Sequence, residues 1–184
     1  MVHGEVRIVK EEPKIRPATM ADILAVDALR KSESDALGFV PIQTYEDVTK
    51  GLHPSERVWI VEYNKQMAGF AYIGGGGHFT KIFQLAIWDD ARRLDIGNAV
   101  VSKADNLARE RGQFGLTCRV AYDLPSNEFW KAIGFSHVGT NVGKFLNHDS
   151  IRKRPVYNYE RLQQERLWTP NSEIEDNIRA GLVL

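Results

Sequence analysis

Phe79-Thr-Lys-Ile-Phe-Gln-Leu-Ala-Ile-Trp88 is a mostly apolar run, and the polar segment Asp89-Asp-Ala-Arg-Arg-Leu-Asp-Ile-Gly-Asn98 follows it directly. From Ile82 to Trp88 nearly every residue is apolar, so we expect a central strand that is covered on both faces. A helical pattern then continues to Arg111 and ends at Gly112. The stretch therefore predicts a buried strand, a short polar loop and an amphipathic helix.

The loop between this strand and this helix carries Arg92, Arg93 and, where the helix should begin, Gly97. Amide groups at a helix N-terminus lack partners within the helix, and together with the helix dipole they attract phosphate. Open α/β sheets also bind ligands at the carboxyl ends of their strands. The loop is therefore a candidate phosphate cradle, and the alternative is an ordinary strand-to-helix turn with solvated arginines.

The composition is that of a globular protein without a charge bias. The chain has 184 residues, which suits one domain with a substantial core. Its 24 Lys and Arg residues balance 24 Asp and Glu residues, so no global charge favours nucleic acid or an anionic membrane. The single cysteine, Cys118, excludes an intramolecular disulfide and is expected to be buried and inert. With no signal-peptide or membrane-spanning pattern, we expect a soluble cytoplasmic protein.

The N-terminal third predicts a strand and two helices. Ile15-Arg-Pro-Ala-Thr19 indicates a short strand that leads into a helix, with Thr19 and Asp22 spaced as in a capping box. Thr44 is expected to cap a second, short helix that continues through Val48.

A hairpin is predicted next. The β-rich runs 58–63 and 67–73 lie on either side of Asn64-Lys65-Gln66. The four glycines from Gly74 to Gly77 are interpreted as a flexible hairpin loop that leads into the central strand, rather than as a phosphate site, because no helix follows them. His78 is expected to be solvated.

The C-terminal half predicts further alternation of strands and helices. Phe114-Gly-Leu-Thr-Cys-Arg-Val120 is the next strand, and its connection implies a right-handed parallel crossover. Asp123-Leu-Pro-Ser-Asn127 opens another helix, which ends at Gly134. Residues 135–142 and 155–161 are expected to be the last two strands. We expect an N-terminal arm or extra strand over residues 1–14, one domain over residues 15–161, and a tail with a short helix over residues 162–184.

In this order, the elements and the loop resemble the GNAT superfamily of N-acetyltransferases. The phosphate loop of that family reads Arg/Gln-x-x-Gly-x-Gly/Ala, and Arg92-Arg-Leu-Asp-Ile-Gly97 occupies that register. Asn127-Glu-Phe-Trp-Lys-Ala-Ile-Gly-Phe135 and the opening at residues 15–19 are also similar, so the likeness covers roughly residues 15–160. It implies an α/β (α+β) fold: a central mixed, mostly antiparallel, twisted sheet of about six to seven strands, flanked by about four helices, with a C-terminal helical tail.

The same resemblance implies acetyl-CoA as the co-substrate. Ile87 stands where the family's strand offers its backbone to the acetyl carbonyl, and Leu85 stands where that strand pairs with the pantetheine arm. Asn127 would bind the pantetheine. Trp130 would contact the cofactor and could also line the acceptor site. The implied residues of the loop are Arg92, Arg93, Leu94, Asp95, Ile96, Gly97, Asn98 and Ala99.

Two residues depart from the family pattern. Asp95 replaces the first glycine of the loop, and its carboxylate would repel a pyrophosphate unless it points away and caps the following helix. Arg92 and Arg93 could offset that charge. Trp130 stands where many members have a tyrosine that protonates the leaving thiolate, and an indole cannot act as an acid near neutral pH. Either another group, such as water, supplies that proton, or the chemistry is impaired.

Tyr122 and Asp123 are the candidates for the base that deprotonates the amine, because they follow a strand that should flank the cleft. The simpler interpretation of this pair is a turn residue and a helix cap. Gln84 cannot titrate and should be polar core or cleft lining, and Glu62 should be solvated. The five histidines and one cysteine show no metal-ligand spacing, so no metal site is expected.

Three functions follow, in order of preference. The first is an acetyl-CoA-dependent N-acetyltransferase that acts on a primary amine of a small molecule, peptide or protein. The second is a non-catalytic module that keeps the fold and serves in acyl-CoA binding or protein interaction, for example as a sensor. The third, acetyl transfer to charged tRNA, rests on Lys144, Arg152, Lys153 and Arg154, for which a solvated loop is the simpler interpretation. A homodimer through the late strands is consistent with the family, whereas nucleic-acid and membrane partners are not expected.

Overall fold

The computed structural model describes residues 11–121, 124–143 and 159–167, with side chains for residues 11–121 and 124–136. The strands are β1 (Lys14–Pro17), β2 (Arg57–Tyr63), β3 (Gln66–Gly74), β4 (Phe79–Ile87), β5 (Gly115–Ala121), β6 (Ser136–Gly143) and β7 (Tyr159–Leu167). The helices are α1 (Ile23–Ser32), α2 (Ser34–Leu37), α3 (Ile42–Thr49), α4 (Ile96–Glu110) and α5 (Ser126–Ala132), with 3-10 turns at Met20–Asp22 and Asp89–Ala91. No helix among these described residues is long and apolar enough to cross a membrane.

These seven strands form one sheet in the order β1-β2-β3-β4-β5-β7-β6. Every neighbouring pair is antiparallel except β4 and β5, which are parallel and are connected through α4. The sheet therefore confirms the predicted mixed, mostly antiparallel architecture and its parallel crossover. The sheet carries a hydrophobic cluster on each face, one against α1 and α3 and the other against α4 and α5.

The central strand β4 differs from its prediction in one respect. It is the fourth of seven strands, as expected, but its side chains alternate between buried and more exposed positions. Phe83 is 43% exposed. The β3–β4 ladder shifts register here, since Ile73 pairs with Ile82 and Tyr72 pairs with Gln84, which leaves Phe83 in a β-bulge. The expectation of two fully covered faces was therefore wrong, because the Phe83 side chain at the bulge stays exposed.

The hairpin between β2 and β3 forms where the sequence predicts it. Asn64 and Lys65 both have positive φ, 51° and 62°, which is the conformation of a type I′ two-residue turn. The backbone twist of this turn matches the twist of β2 and β3, so the hairpin ends with Tyr63 paired to Gln66. The glycine loop likewise joins β3 to β4 as predicted.

Other local predictions were corrected by tertiary contacts. The helix α3 begins at Ile42 with Pro41 as its N-cap, so Thr44 lies inside the helix and does not cap it. His78 is half-buried and stacks on Phe114 with a 5.0 Å centroid separation, rather than being solvated. The last strand continues to Leu167, beyond its predicted end at residue 161, because it pairs along the whole of β5. The predicted start over residues 155–158 lies outside the described residues.

Some predictions lie outside the described residues. They are the arm over residues 1–10, Tyr122 and Asp123, the basic loop with Lys144, Arg152, Lys153 and Arg154, and the helix of the C-terminal tail. The division into residues 1–14, 15–161 and 162–184 remains a prediction.

Arg16 connects the first strand to the first helix through two carboxylates. Its guanidinium donates to Asp22 at 2.8 and 2.9 Å and to Glu62 on β2 at 2.8 Å. Asp22 also accepts from the backbone N–H of Thr19 at 2.7 Å, as the capping-box spacing predicts. Glu62 is therefore paired and half-buried, which corrects its expected solvation, because β1 lies beside β2 and brings Arg16 next to it.

We expect Asp22→Asn to lower the free energy of unfolding by about 1–2 kcal/mol at neutral pH, since it removes a charge that accepts hydrogen bonds from Arg16 and Thr19. The bonds from Arg16 hold the pKa of Asp22 well below its usual range. The stabilisation is therefore complete above the unfolded pKa of about 4 and is lost as the pH falls toward the folded pKa. Urea unfolding across this pH range measures the difference, with Asp47→Asn as the surface control. A gap between wild type and Asp22→Asn that does not narrow in acid would contradict this assignment.

Candidate active site

The candidate site is a cleft that opens where β4 and β5 separate. The two strands pair only over residues 79–82 of β4 and 115–118 of β5. Beyond Ile82, β4 stays paired with β3, whereas β5 stays paired with β7 along its whole length. The cleft has a volume of about 1390 Å³ and runs from the α1–α2 connection to the start of α4. An extended ligand can therefore lie along the free edge of β4.

The backbone of Ile87 faces this cleft. The N–H of Trp88 donates to the carbonyl of Ala68 on β3 at 2.9 Å. Because peptide groups alternate in direction along a strand, the N–H and C=O groups of Ile87, and those of Leu85, point away from β3 toward the open side. Consistent with this, the Ile87 carbonyl accepts a hydrogen bond from Arg92 at 3.0 Å. The two strand residues predicted to meet a ligand thus present their backbone groups to the cleft.

Close packing behind Ile87 depends on a glycine in β3. A Cβ atom on Gly69 would lie 2.3 Å from the Ala86 carbonyl oxygen and 2.6 Å from Ile87 Cδ1. Real Cβ atoms do not approach so closely, so any larger residue would push the end of β4 outward. Because Gly69 has no side chain, the end of β4 that carries Ile87 can lie close to β3.

The loop after β4 forms a cradle of backbone amides. Arg93 and Asp95 are both left-handed, with φ of 66° and 63°. Ala99 N–H makes the first α4 bond, to the Asp95 carbonyl, at 3.2 Å. The N–H groups of the three residues between Asp95 and Ala99 have no backbone partner within the described part of the chain. This arrangement of free amides at a helix N-terminus is suited to an anion.

Asp95 occupies the left-handed position that the family pattern assigns to glycine. It is the N-cap residue of α4, but its side chain makes no capping hydrogen bond and is exposed. Of the two alternatives for this carboxylate, capping of the helix is therefore not observed. A left-handed φ is tolerated by Asp better than by most residues, which explains how the loop keeps its shape.

The two arginines of the loop are in different environments. Arg92 donates to Glu33 at 2.7 Å, pairs with Asp89 at 2.5 Å and donates to the Ile87 carbonyl, so all three nitrogens of its guanidinium are engaged. Arg93 is exposed and makes no side-chain hydrogen bond or ion pair within the described part of the chain. Arg93 is therefore the arginine that is available to an anion at the α4 amides.

The other wall of the cleft is formed by α5. Trp130 is 7% exposed and packs edge-to-face against Phe129 and Phe135, at 5.1 and 5.0 Å between ring centroids. A Cβ atom on Gly97 would lie 3.0 Å from Phe129, so this glycine also lets α4 and α5 approach each other. Trp130 is thus both a core residue and part of the cleft lining.

Not every predicted site residue lines the cleft. Nine of them do: Leu85, Ile87, Arg92, Arg93, Asp95, Ile96, Gly97, Asn98 and Trp130. Leu94 packs against the core instead, and Ala99 lies inside α4. Asn127 donates both of its amide hydrogens to the carbonyls of Ala121 and Leu124, at 2.8 and 3.0 Å, which holds the β5–α5 connection together.

The structure adds cleft residues that sequence reasoning missed. Glu33 and Asp35 come from the α1–α2 connection, and Lys81 and Phe83 come from β4. No local pattern distinguishes these residues from ordinary surface positions, since they meet only through the packing of α1 and α2 beside β4. Gln84 was predicted as polar core or cleft lining and is both.

Gln84 is held by a buried hydrogen-bond network. It is 3% exposed, accepts from the Tyr45 hydroxyl at 2.5 Å, and donates to the carbonyls of Leu37 and Gly38 at 3.3 and 3.4 Å. Burial raises the pKa of Tyr45 far above its ordinary value. Tyr45 therefore stays neutral and serves as a hydrogen-bond donor that anchors the wall of the cleft to α3.

Comparison with known proteins agrees with this geometry. The model of the Acetyltransferase (GNAT) family matches residues 25–135, which is more than half of the chain. No curated protein sequence matches the chain significantly.

Several solved structures are similar in fold. The ribosomal-protein-alanine N-acetyltransferase from Brucella melitensis has a TM-score of 0.63 and 19% identity, with 84% of this chain and 99% of that chain covered. The ribosomal-protein-S18-alanine N-acetyltransferase from Escherichia coli has a TM-score of 0.64 and 15% identity, with 87% and 96% covered. YncA from Salmonella typhimurium, solved with its cofactor acetyl-CoA, has a TM-score of 0.67 and 12% identity, with 88% and 96% covered. At these identities the likeness is one of fold.

Gly69→Ala should lower the free energy of unfolding by about 2–4 kcal/mol, because the new methyl group collides with the backbone of β4. Gly76→Ala is the matched control, since a Cβ atom there meets nothing within 4 Å and should change stability by less than about 0.5 kcal/mol. Urea unfolding of the three proteins gives both values. Equal stability of Gly69→Ala and wild type would show that β4 does not pack as closely on β3 as described.

Proposed function

Because the chain belongs to the GNAT family of acetyltransferases, we propose that it is an acetyl-CoA-dependent N-acetyltransferase that acts on a primary amine of a small molecule, peptide or protein. The observation that carries the proposal is the free edge of β4, which faces a cleft that ends at the amides of α4. A long ligand with a phosphate-bearing end and a reactive acyl end matches this arrangement.

The residues of the cleft fit coenzyme A. The free amides at the start of α4 and the exposed Arg93 suit the negative charge of a pyrophosphate. The outward-facing groups of Leu85 and Ile87 suit the amides of the pantetheine arm, which would extend β4 as an added strand. Asp95 opposes this binding electrostatically, because its exposed carboxylate lies at the same helix terminus.

The reaction requires a hydrogen-bond donor at the acyl oxygen and a fixed position of the thioester relative to the amine. When bound, acetyl-CoA supplies a thioester whose carbonyl carbon is attacked by the neutral amine. The N–H of Ile87 would donate to the carbonyl oxygen and stabilise the negative charge that develops there. The cradle at α4 and the β4 edge together would hold the thioester in line with the amine.

The reaction also needs a proton donor for the leaving thiolate and a base for the amine. Trp130 cannot protonate the leaving thiolate, so that proton would come from water in the cleft. Tyr122 and Asp123 remain the proposed candidates for the base that receives the proton of the amine. Trp130, which stands in place of the family's tyrosine acid, favours as a second candidate function a module that binds acetyl-CoA without transferring the acetyl group.

Isothermal titration with acetyl-CoA, followed by thiol release across a panel of primary amines, tests the proposed function. Binding with turnover supports the enzyme, and binding without turnover for any amine supports the non-catalytic module. Absence of binding at millimolar acetyl-CoA would overturn both.

Arg93→Gln should weaken acetyl-CoA binding roughly tenfold, because it removes a charge-assisted contact to phosphate. Asp95→Asn should strengthen binding roughly three- to fivefold, because it removes a repulsive charge while keeping a residue that tolerates positive φ. Lys50→Gln, on the exposed end of α3, is the control and should leave the Kd unchanged. Equal Kd values for all four proteins would show that the pyrophosphate does not lie at this loop.

A further inference from the structure

Arg92 is held by contacts from three separate elements. Its Nη2 donates to Glu33, its Nη1 pairs with Asp89, and its Nε donates to the Ile87 carbonyl. Glu33 lies between α1 and α2, Asp89 lies in the 3-10 turn, and Ile87 is the last residue of β4. One guanidinium therefore joins the α1–α2 wall of the cleft to the end of β4 and to the turn that follows it.

We infer that Arg92 is a positioning residue that braces the Ile87 peptide and the α1–α2 wall of the cleft, and that it does not bind the pyrophosphate. The ligand-binding half of this inference rests on the proposed function, whereas the bracing contacts do not.

The contact with Ile87 constrains the backbone at the proposed oxyanion position. The peptide group between Ile87 and Trp88 is held at both ends, because its carbonyl accepts from Arg92 and its N–H donates to Ala68. Since the Ile87 Cα atom connects this peptide to the one that carries the Ile87 N–H, the direction of that N–H is restricted as well. Loss of Arg92 would free one of the two ends.

The contact with Glu33 positions the wall opposite β4. The Glu33 carbonyl accepts from the N–H groups of Ala36 and Leu37, both at 3.0 Å, and so begins α2. Residues of this connection line the cleft together with the Glu33 side chain. A carboxylate held by Arg92 therefore restrains the start of α2, which lines the cleft.

The neighbouring arginine shows why Arg92 is not the phosphate ligand. The Arg92 side chain is itself 45% exposed, but its movement to an anion at α4 would break its contacts with two carboxylates and a carbonyl. Arg93 has no such contact within the described part of the chain and is exposed. Binding through Arg93 therefore costs less reorganisation than binding through Arg92.

A double-mutant cycle on Glu33→Gln and Arg92→Gln tests the brace without any ligand. Each single variant should speed hydrogen exchange in residues 34–37 roughly two- to fivefold, because an ion pair of this exposure contributes modestly to local stability. The double variant should be no faster than either single variant. Additive effects, or no effect of either substitution on this segment, would overturn the brace.

Titration with acetyl-CoA tests the second half of the inference. Arg92→Gln should change the Kd less than about threefold, whereas Arg93→Gln weakens binding roughly tenfold. If Arg92→Gln weakens binding as much as Arg93→Gln, and Glu33→Gln strengthens it by releasing the arginine, then Arg92 is a phosphate ligand and the inference fails. If the wild-type chain binds no acetyl-CoA, the proposed function fails, and the exchange cycle still decides whether Arg92 is a brace.

Infrared spectroscopy of bound acetyl-CoA, labelled with ¹³C at the acetyl carbonyl, separates positioning from a general loss of stability. A hydrogen bond to the carbonyl lowers its stretching frequency, so Arg92→Gln should move the band back toward its value in free acetyl-CoA. Arg92→Lys should restore it only in part, because an ammonium group lacks the planar fork of a guanidinium. Lys50→Gln should not move the band, and an unchanged band in Arg92→Gln would show that Arg92 does not orient the Ile87 N–H.

Discussion

The separation of β4 from β5 after Ile82 is the constraint on which the site depends. A β-bulge at Phe83 coincides with the end of the parallel pairing, and bulges bend a strand and increase its local twist. On one side β3 continues to hold β4, and on the other side β7 holds β5. Because each strand keeps one partner, the sheet stays joined on both sides of the opening, while the facing edges of β4 and β5 are left without a strand partner. The free edge, the cleft and the start of α4 all follow from this opening.

The loop at α4 balances favourable and unfavourable electrostatics. Free amides and Arg93 attract an anion, whereas the carboxylate of Asp95 opposes it. The left-handed backbone at Arg93 and Asp95 is a local strain that the surrounding packing maintains, as is common at functional sites. The shape of the cradle is therefore preserved even where the glycine of the family pattern is missing, and its charge is what differs.

Features set by local chemistry could be predicted from the sequence. The β2–β3 hairpin follows from β-rich runs on either side of Asn64-Lys65-Gln66, and the capping contact between Thr19 and Asp22 follows from their spacing. Features set by distant partners could not. Glu62 is paired because β1 lies beside β2, and His78 stacks because Phe114 follows α4. The start of α3 was also misplaced, since Pro41 serves as its N-cap although its side chain has no capping group.

The sequence by itself determined the order of the strands and of the longer helices, the loop between β4 and α4 and the likeness to a family of acetyltransferases, because periodicity, turn residues and motif spacing are local properties. The short helix α2 was not predicted. Only the tertiary structure decided which arginine of the loop is available to a ligand. Arg92 and Arg93 are adjacent and chemically identical, so their residue type does not separate them. Two partners of Arg92, Asp89 and the Ile87 carbonyl, are near it along the chain. The third, Glu33, lies 59 residues away and meets it only when α1 packs beside the end of β4.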